Sequence, residues 1–275
     1  MIILIHSSKT MRSAADGAIF SGQTPVFDSR AHELAKYLKT LPVETVQRVM
    51  ALSPAKAQTT HDLLQQYSSQ TPKLPAIDSF LGDIYSGLQT QTFSSEDRAY
   101  ANDHLFILSG LYGVLRALDS IQPYRLEMGY TLPGNTHDTT QPNITSLYTY
   151  WGNAITEQLP TGQPIINLSA KEYTKNVLKN VNEARVISPK FLTVSPKTGK
   201  PTFVTVHAKV ARGAYAGWLI RNRVEDVLRL QDFTEIGYSY NDELSTPEEP
   251  VFVAKEFKGL GLSVRLTPTI TSSQI

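Results

Sequence analysis

The sequence predicts an α/β protein with a mixed sheet and flanking helices. Short unbroken apolar runs at residues 2–5 and 105–108 are typical of strands buried on both faces. Residues 164–170 repeat this design, because an apolar run again ends in small polar residues. Amphipathic helices are expected between these runs, for example over residues 28–41 and 144–159. Such alternation of strands and helices is typical of the α/β class.

The 275 residues are enough to bury a substantial core, and no shift in composition marks a boundary between domains. We therefore expect one domain over residues 1–258. The Thr/Ser-rich residues 259–275 are expected to form a loose tail.

Composition excludes several functional classes. With no cysteine, the chain has no disulfide, thiolate nucleophile or sulfur-ligated metal site. Its six histidines are scattered, so neither a metal site nor a cofactor is predicted, and an iron-handling role has little support. No apolar run approaches the ~20 residues that span a bilayer, and the N-terminus lacks the basic leader of a signal peptide. These features predict a cytoplasmic protein without a membrane partner.

The net charge is only +1, but the charges are unevenly distributed. Residues 171–229 contain twelve Lys or Arg and four Asp or Glu. A neutral protein with one basic section can present a positive face to a polyanion. The alternative is that acidic and basic sections neutralise each other across the fold.

Lys9 follows the first predicted strand, in the polar stretch His6-Ser7-Ser8-Lys9-Thr10. In open α/β sheets, ligands collect at the carboxyl ends of strands. Lys9 is therefore a candidate phosphate ligand, with an ordinary surface lysine as the alternative.

Residues 41–67 predict two helices joined by a tight turn, with Ser53 as the cap of the second helix and Pro54 in its first turn. The turn resembles a helix-hairpin-helix element, in which backbone amides bind a phosphate without reading bases. Ala51 and Ser53 stand where that element has glycines. Ser53 and Lys56 are candidate DNA contacts; the alternative is an ordinary helical hairpin packed on the core.

The segment 108–129, LSGLYGVLRALDSIQPYRLEMG, is the least generic part of the chain. Gly110 and Gly113 predict a close backbone approach or a tight bend. Arg116 and Arg125 flank a rigid Pro-Tyr pair, and two guanidiniums in such a setting suit an anionic ligand.

A structural alternative applies to the same two arginines. They could pair with Asp119 and Glu127 and so hold the bend in place. For Arg125 we favour a basic cleft, with Glu127 as its orienting or catalytic neighbour, and for Arg116 the choice stays open.

Two more stretches contribute candidates. Residues 80–88, with Asp83 and Tyr85 between two glycines, predict a strand that turns sharply. Residues 186–194 and 203–210 predict a hairpin of strands that leads into a helix. Arg212 would lie at the start of that helix, where its charge opposes the macrodipole, so it needs an acid or a ligand.

Together the motifs resemble, in order from residue 1 to about residue 257, the peroxide stress resistance protein YaaA family. They are SKT (8–10), GDIYSGL (82–88), the segment 108–129, NLSAKEY (167–173) and KVARG (209–213). The resemblance implies an unusual mixed α/β fold, a basic cleft, a helix-hairpin-helix element, DNA binding and a role in limiting oxidative damage.

By this resemblance, one group of residues lines the basic cleft and a second supplies orienting or chemical groups. The first group is Lys9, Arg116, Arg125, Lys209 and Arg212, and the second is Asp83, Tyr85, Glu127, Glu172 and Tyr173. HSSKTM replaces a more usual SPAKTL, Ala117 replaces a common proline, and Gly217 stands where an arginine is frequent. The last change removes one cation from the expected basic surface.

Two functions follow as expectations. The first is a DNA-binding protein of the peroxide stress response that recognises the backbone and shape of double-stranded or structured DNA. The second is an enzyme acting on a nucleotide or a DNA lesion in the same cleft, with Lys9, Asp83, Glu127 and Glu172 as candidate catalytic residues. The sequence predicts no oligomeric state.

Overall fold

Helices and short strands alternate along the chain in a computed structural model, which describes residues 1–14, 22–68, 71, 73–134, 143–181 and 184–259. This arrangement confirms the predicted mixed α/β class. The strands are β1 (Ile2–His6), β2 (Thr10–Met11), β3 (Leu74–Pro75), β4 (Phe80–Leu81), β5 (Leu105–Ser109), β6 (Gly113–Arg116), β7 (Ser120–Ile121), β8 (Ile165–Asn167), β9 (Val186–Ile187), β10 (Lys190–Val194), β11 (Pro201–Thr202), β12 (Tyr238–Tyr240) and β13 (Val251–Ala254).

The helices vary from single turns to one of 17 residues. They are α1 (Asp28–Lys39), α2 (Val43–Met50), α3 (Pro54–Gln66), α4 (Ala76–Ser79), α5 (Asp83–Leu88), α6 (Ser95–His104), α7 (Leu147–Trp151), α8 (Ala154–Glu157), α9 (Lys171–Thr174) and α10 (Thr205–Arg221). Of the helices that the structure describes, none has both the length and the apolar composition needed to cross a membrane.

The chain divides into two compact units. Unit 1 comprises Met1–Phe80 and Ser94–Val186, and unit 2 comprises Leu81–Phe93 and Ile187–Ile275. The expectation of a single domain over residues 1–258 stays a prediction. The expected loose tail, apart from Gly259, lies outside the described residues.

Unit 1 contains a five-stranded sheet of order β6-β5-β1-β8-β9. β1 pairs in parallel with β5 and β8, and β6 returns antiparallel to β5. Every residue of β1 and β5 is buried, as expected for unbroken apolar runs in the middle of a sheet. The carboxyl ends of β1, β5 and β8 therefore meet at one edge, which we call the carboxyl edge.

The two helices predicted for residues 41–67 are α2 and α3. Ala51 ends α2 in the left-handed conformation (φ 49°, ψ 54°), and the N–H of Leu52 donates to the Gln47 carbonyl at 3.0 Å. Ser53 occupies the N-cap of α3, and Pro54 is its first residue. The helical hairpin is confirmed, whereas its assignment as a helix-hairpin-helix element is not.

Three predicted elements differ from those observed. Residues 144–159 form α7 and α8 rather than one helix, because Gly152 adopts φ 52° and interrupts it. Residues 83–88 are helical rather than extended. The predicted strand 203–210 is wrong as well, since α10 begins at Thr205. Arg212 therefore lies in the middle of a 17-residue helix, and the argument from the macrodipole no longer applies to it.

Unit 2 contains a four-stranded sheet of order β11-β10-β13-β12, with β10 parallel to β13. Its core is a cluster of aromatic rings in offset and edge-to-face contact at centroid distances of 5.0–6.2 Å. The members are Phe191, Tyr215, Phe233 and Phe252.

Helices α5 and α10 of unit 2 pack through glycines on both sides. A Cβ on Gly213 would lie 1.8 Å from the Ile84 carbonyl oxygen, and one on Gly87 would lie 1.9 Å from the Val210 carbonyl oxygen. Real atoms cannot approach so closely, so the two backbones touch only because neither residue has a side chain.

We expect Gly213→Ala to destabilise the protein by about 2 kcal/mol or more, because α10 must move away from α5 to admit the methyl group. Denaturant unfolding measures the change. Lys209→Ala, at an exposed position of the same helix, is the control and should change stability by less than about 0.5 kcal/mol. Equal stability of Gly213→Ala and wild type would contradict the observed packing.

Candidate functional site

Two loops that leave the carboxyl edge are joined by His6. Its Nδ1 accepts the Ala170 backbone N–H at 3.1 Å and lies 3.2 Å from the Ser169 hydroxyl. Because Nδ1 accepts a backbone proton, the neutral ring carries its own proton on Nε2. His6 is buried, and this geometry fixes the loop after β8 against the end of β1.

Hydroxyl groups line the interior of the same edge. Ser7 Oγ lies 3.4 Å from the Tyr173 hydroxyl, and the Tyr173 ring stacks on His6 with centroids 4.8 Å apart. Ser109 Oγ lies 2.6 Å from the Tyr124 hydroxyl. Burial raises the pKa of both tyrosines well above the usual range. They are therefore neutral hydrogen-bonding groups at physiological pH.

The segment that follows Pro123 crosses this edge in an alternating pattern. Tyr124, Leu126 and Met128 are buried, whereas Arg125 and Glu127 between them are partly exposed. Alternate residues of an extended chain point to opposite sides. Arg125 and Glu127 therefore project from the same face of the segment, away from the core.

Gly110 allows the segment to lie there. A Cβ at this position would be 2.5 Å from the Leu126 carbonyl oxygen, so the two backbones are in direct contact. The Gly110 carbonyl also accepts the indole N–H of Trp151 at 3.0 Å. Gly113, which begins β6, has φ +69°. The predicted close approach and tight bend are both confirmed.

The Glu127 carboxylate pairs with Lys9. Their Nζ and Oε2 atoms are 2.7 Å apart, and the Glu127 side chain is only 17% exposed while that of Lys9 is 52% exposed. The structural alternative, in which Arg125 pairs with Glu127, is therefore wrong. The ion pair joins the loop after β1 to the central segment, 118 positions along the chain.

Arg125 is left without a carboxylate partner among the described residues, although it is half-buried. Its Nε is buried and makes no hydrogen bond. The Tyr130 hydroxyl beside it is also buried and has no hydrogen bond of normal geometry. Burial, followed by the nearby charge of Glu127, raises the pKa of Tyr130 to about 12, so this phenol is neutral. It lies within reach of both Glu127 and Arg125, and its hydroxyl can donate to the carboxylate and accept from the guanidinium.

Glu172 supports the segment from the other side. Its Oε1 accepts the backbone N–H of Gly129 at 2.9 Å, and its own carbonyl accepts the Tyr148 hydroxyl at 2.8 Å. A Cβ on Gly129 would lie 2.8 Å from that same Oε1. Glu172 thus positions the backbone next to Glu127 and Arg125.

The structure brings together only some of the predicted site residues. Lys9, Arg125, Glu127, Glu172 and Tyr173 meet at the carboxyl edge of unit 1. Ser53 and Lys56 are exposed on the α2–α3 hairpin. Asp83 and Tyr85 lie in α5 of unit 2, and Lys209 and Arg212 lie in α10 of the same unit.

Lys209 is exposed, whereas Arg212 is half-buried and burial lowers its pKa. Because these two residues and the carboxyl edge belong to different units, the predicted cleft shared by all the cations stays a prediction.

Several residues of the carboxyl edge were not among the sequence candidates. Ser7 and Ser169 follow β1 and β8, Ser109 is the last residue of β5, and Tyr130 follows Gly129. The alternation of YRLEMG at residues 124–129 was the available signal, because it predicts an extended segment with both charges on one face.

Arg116 lies away from the carboxyl edge. It pairs with Phe106 in the β5–β6 ladder, whereas the carboxyl edge begins at Ser109, about 10 Å further along the strand. Its guanidinium lies over the Phe106 ring at 5.9 Å, and its backbone N–H donates to Asp119 Oδ2 at 2.8 Å. The side chains of Arg116 and Asp119 line a cavity of about 180 Å³ together with Gln23 and Gln158.

Asp119 is the buried acid of this cavity. Burial raises its pKa to about 6, against the opposing effects of the Arg116 N–H and guanidinium. Within the described residues, no three side chains of His, Asp or Glu come together as a metal site.

Comparison with known proteins identifies relatives over nearly the whole chain. A family model described as peroxide stress protein YaaA matches residues 1–244. A UPF0246 protein of Salinispora tropica is 52% identical over 266 residues, which cover 96% of this chain and 98% of the relative. UPF0246 proteins of Ruegeria pomeroyi and Roseobacter denitrificans are 38% and 37% identical over 83% of this chain. The matched regions span 90% and 89% of these two relatives.

We expect Asp119→Asn to remove a pH dependence of stability. The folded protein binds the Asp119 proton more tightly than the unfolded chain does. This proton therefore adds to the free energy of unfolding, in full below about pH 4, and the gain is lost as pH rises through about 6. Relative to Asp119→Asn, the wild type should lose about 2 to 3 kcal/mol of unfolding free energy between about pH 4 and 7. Parallel profiles of the two proteins, measured by urea unfolding, would contradict the assignment.

Proposed function

Because the chain belongs to the peroxide stress protein YaaA family, we propose that it acts in the peroxide stress response by binding double-stranded or structured DNA. It would do so in the cytoplasm, as expected from the sequence. The proposed recognition is of the phosphate backbone, without reading of base edges.

The exposed turn between α2 and α3 carries this proposal. Ala51 and Ser53 are exposed, and the Ser53 side chain makes no capping hydrogen bond, so it leaves the first amides of α3 open. Arg48 and Lys56 are exposed on either side of the turn, and no acidic residue lies between them. Two cations and a helix N-terminus on one turn suit a backbone phosphate.

The other proposed contacts are cations elsewhere in the two units. Each would neutralise one phosphate and release condensed counterions, so the affinity for DNA should fall steeply with salt. They are Lys9, Arg116, Arg125, Lys209 and Arg212.

We expect Lys56→Ala and Arg48→Ala each to weaken duplex binding uniformly across sequences. Each should lower the slope of log K against log salt by about 0.9, because one phosphate contact is lost. Gel shifts over a salt series measure this slope. Lys36→Ala, an exposed lysine in the last turn of α1, is the matched control and should leave the slope unchanged.

Binding that does not depend on salt would contradict the proposal, and so would wild-type slopes in both hairpin variants. Sequence-dependent losses would also contradict it, because they would place base-edge contacts at the hairpin.

A second candidate function is an enzyme acting on a nucleotide or a DNA lesion, and the position of Lys9 favours it. Lys9 is half-exposed at the carboxyl edge, where α/β proteins place their ligands. An ammonium becomes a nucleophile only when it loses a proton, and the Glu127 carboxylate at 2.7 Å is in place to accept one. The Lys9 amine would then add to the carbonyl carbon of an aldehyde, such as that of an abasic site. Loss of water from the resulting carbinolamine would give the imine that borohydride reduces.

Borohydride trapping on abasic duplex DNA tests this second candidate. If the second candidate is correct, the wild type forms a covalent adduct, and Lys9→Ala forms none. Glu127→Gln should form much less adduct, and Lys36→Ala should form as much as the wild type. Absence of an adduct, or an adduct that persists in Lys9→Ala, would contradict it.

A further inference from the structure

The cavity beside Arg116 contains a buried acid that neither proposed function uses. It lies wholly within unit 1, and its described lining does not include Lys9 or Glu127. Asp119 is 3% exposed, whereas Gln23 and Arg116 at the same cavity are exposed. The cavity therefore opens to solvent at its mouth and has a carboxylate inside.

One oxygen of the Asp119 carboxylate has no partner. Oδ2 accepts the Arg116 backbone N–H at 2.8 Å, while the Arg116 guanidinium lies over the Phe106 ring instead of pairing with the acid. Among the described residues, Oδ1 makes no hydrogen bond, and it is not one of the side-chain atoms that are sealed from solvent without a partner. Oδ1 is thus an acceptor that a ligand in the cavity can reach.

The side-chain amide of Gln23 supplies a donor of known orientation. The Leu118 backbone N–H donates to Asn102 Oδ1 at 3.1 Å, which leaves Asn102 Nδ2 to donate to Gln23 Oε1 at 3.2 Å. Because Gln23 Oε1 is engaged in this way, its Nε2 amino group is the free end of the amide. The Gln23 backbone is fixed as well, since its N–H donates to the Leu118 carbonyl and its carbonyl accepts the Ser120 N–H.

We infer that this cavity binds a guanine base. The site offers an anionic acceptor in Asp119, and donors in the Gln23 amide and the Arg116 guanidinium. Guanine has the complementary groups, because its N1–H and N2 amino donors lie side by side and its O6 and N7 are acceptors. The apolar side chains of Phe106, Val114 and Leu115 line the rest of the cavity and suit the faces of a ring.

The other bases fit the carboxylate less well. Adenine and cytosine have an acceptor nitrogen next to their amino group, and a carboxylate repels it. Thymine and uracil have a single N–H between two carbonyl oxygens. The volume of about 180 Å³ is also below the roughly 300–1,000 Å³ of sites for drug-sized ligands, so the cavity accommodates a base and leaves its sugar at the mouth.

This inference goes beyond the proposed function and does not depend on it, because the cavity shares no residue with the α2–α3 turn. The base has two possible sources with the same chemistry. One is a free nucleoside or nucleotide, and the other is an unpaired guanine in a DNA strand.

Calorimetric titration of the full-length protein with three nucleosides tests the inference. At about pH 7.5 Asp119 is mostly ionised, since its pKa is about 6. We expect guanosine to bind the wild type. Inosine, which lacks only the N2 amino group, should bind about tenfold more weakly, and adenosine more weakly still.

Two variants locate the binding in this cavity. Asp119→Asn and Gln23→Leu should each lower the affinity for guanosine by about tenfold, because each removes one complementary group. Asp119→Asn should also reduce the preference for guanosine over inosine. Asp62→Asn and Gln58→Leu, at exposed positions of α3, are the matched controls and should bind guanosine as the wild type does.

Thermal unfolding with and without guanosine provides a second measurement on the same proteins. Guanosine should raise the Tm of the wild type and the controls, and should raise that of Asp119→Asn and Gln23→Leu much less. Because each protein is compared with itself, a general change of stability in a variant does not imitate the effect.

Competition identifies the source of the base. Displacement of guanosine by an oligothymidine strand with one internal guanine, but not by the strand of thymidines alone, indicates an unpaired guanine of DNA. Displacement by guanosine nucleotides and by neither strand indicates a free nucleotide, and both results support the site.

Equal affinity of the wild type for guanosine and inosine would overturn the inference. Wild-type affinity for guanosine in both Asp119→Asn and Gln23→Leu would do the same, as would no binding of guanosine at millimolar concentration. These outcomes are separable from those of the gel shifts, because the titrations contain no DNA and the hairpin variants keep the cavity.

Discussion

The backbone contact between Gly110 and Leu126 is the constraint on which the candidate site depends. The space for a side chain at Gly110 is occupied by the Leu126 carbonyl, so the segment after Pro123 lies directly on the end of β5. From there it runs extended, with its apolar side chains in the core and its charged ones outside. The position of Arg125 and Glu127 is thus a consequence of one missing Cβ.

The charges at the carboxyl edge do not balance in the way that the sequence suggests. Arg125 and Glu127 are two positions apart, and a pair between them is the simplest interpretation of the sequence. The fold instead brings Lys9 to Glu127 from the end of β1. Glu127 pairs with Lys9 alone, so Arg125, the more buried of the two cations, has no carboxylate partner among the described residues. This distinguishes the carboxyl edge from a set of structural ion pairs.

Much of the fold is predictable from local patterns. Buried apolar runs give β1, β5 and β8, and Ser94 begins α6 with a capping box. The α2–α3 hairpin follows from Ser53 and Pro54. In each case the signal lies within a few residues of the element it specifies.

The errors arise where tertiary packing decides. The β-branched residues before Lys209 favour a strand, but α10 buries Gly213 and its small neighbours against α5, and that packing selects the helix. The Lys9–Glu127 pair depends on the parallel register of β1 and β5, which no local pattern contains. The sequence therefore indicates which residues carry the chemistry better than it indicates their partners.

The central claim is that the exposed turn between α2 and α3 binds the phosphate backbone of DNA. A crystal structure of the protein with a DNA duplex tests it most directly. We predict electron density for a backbone phosphate within hydrogen-bond distance of the first backbone amides of α3, with the Lys56 side chain beside it. A duplex bound elsewhere on the protein, with the α2–α3 turn left in solvent, would contradict the account.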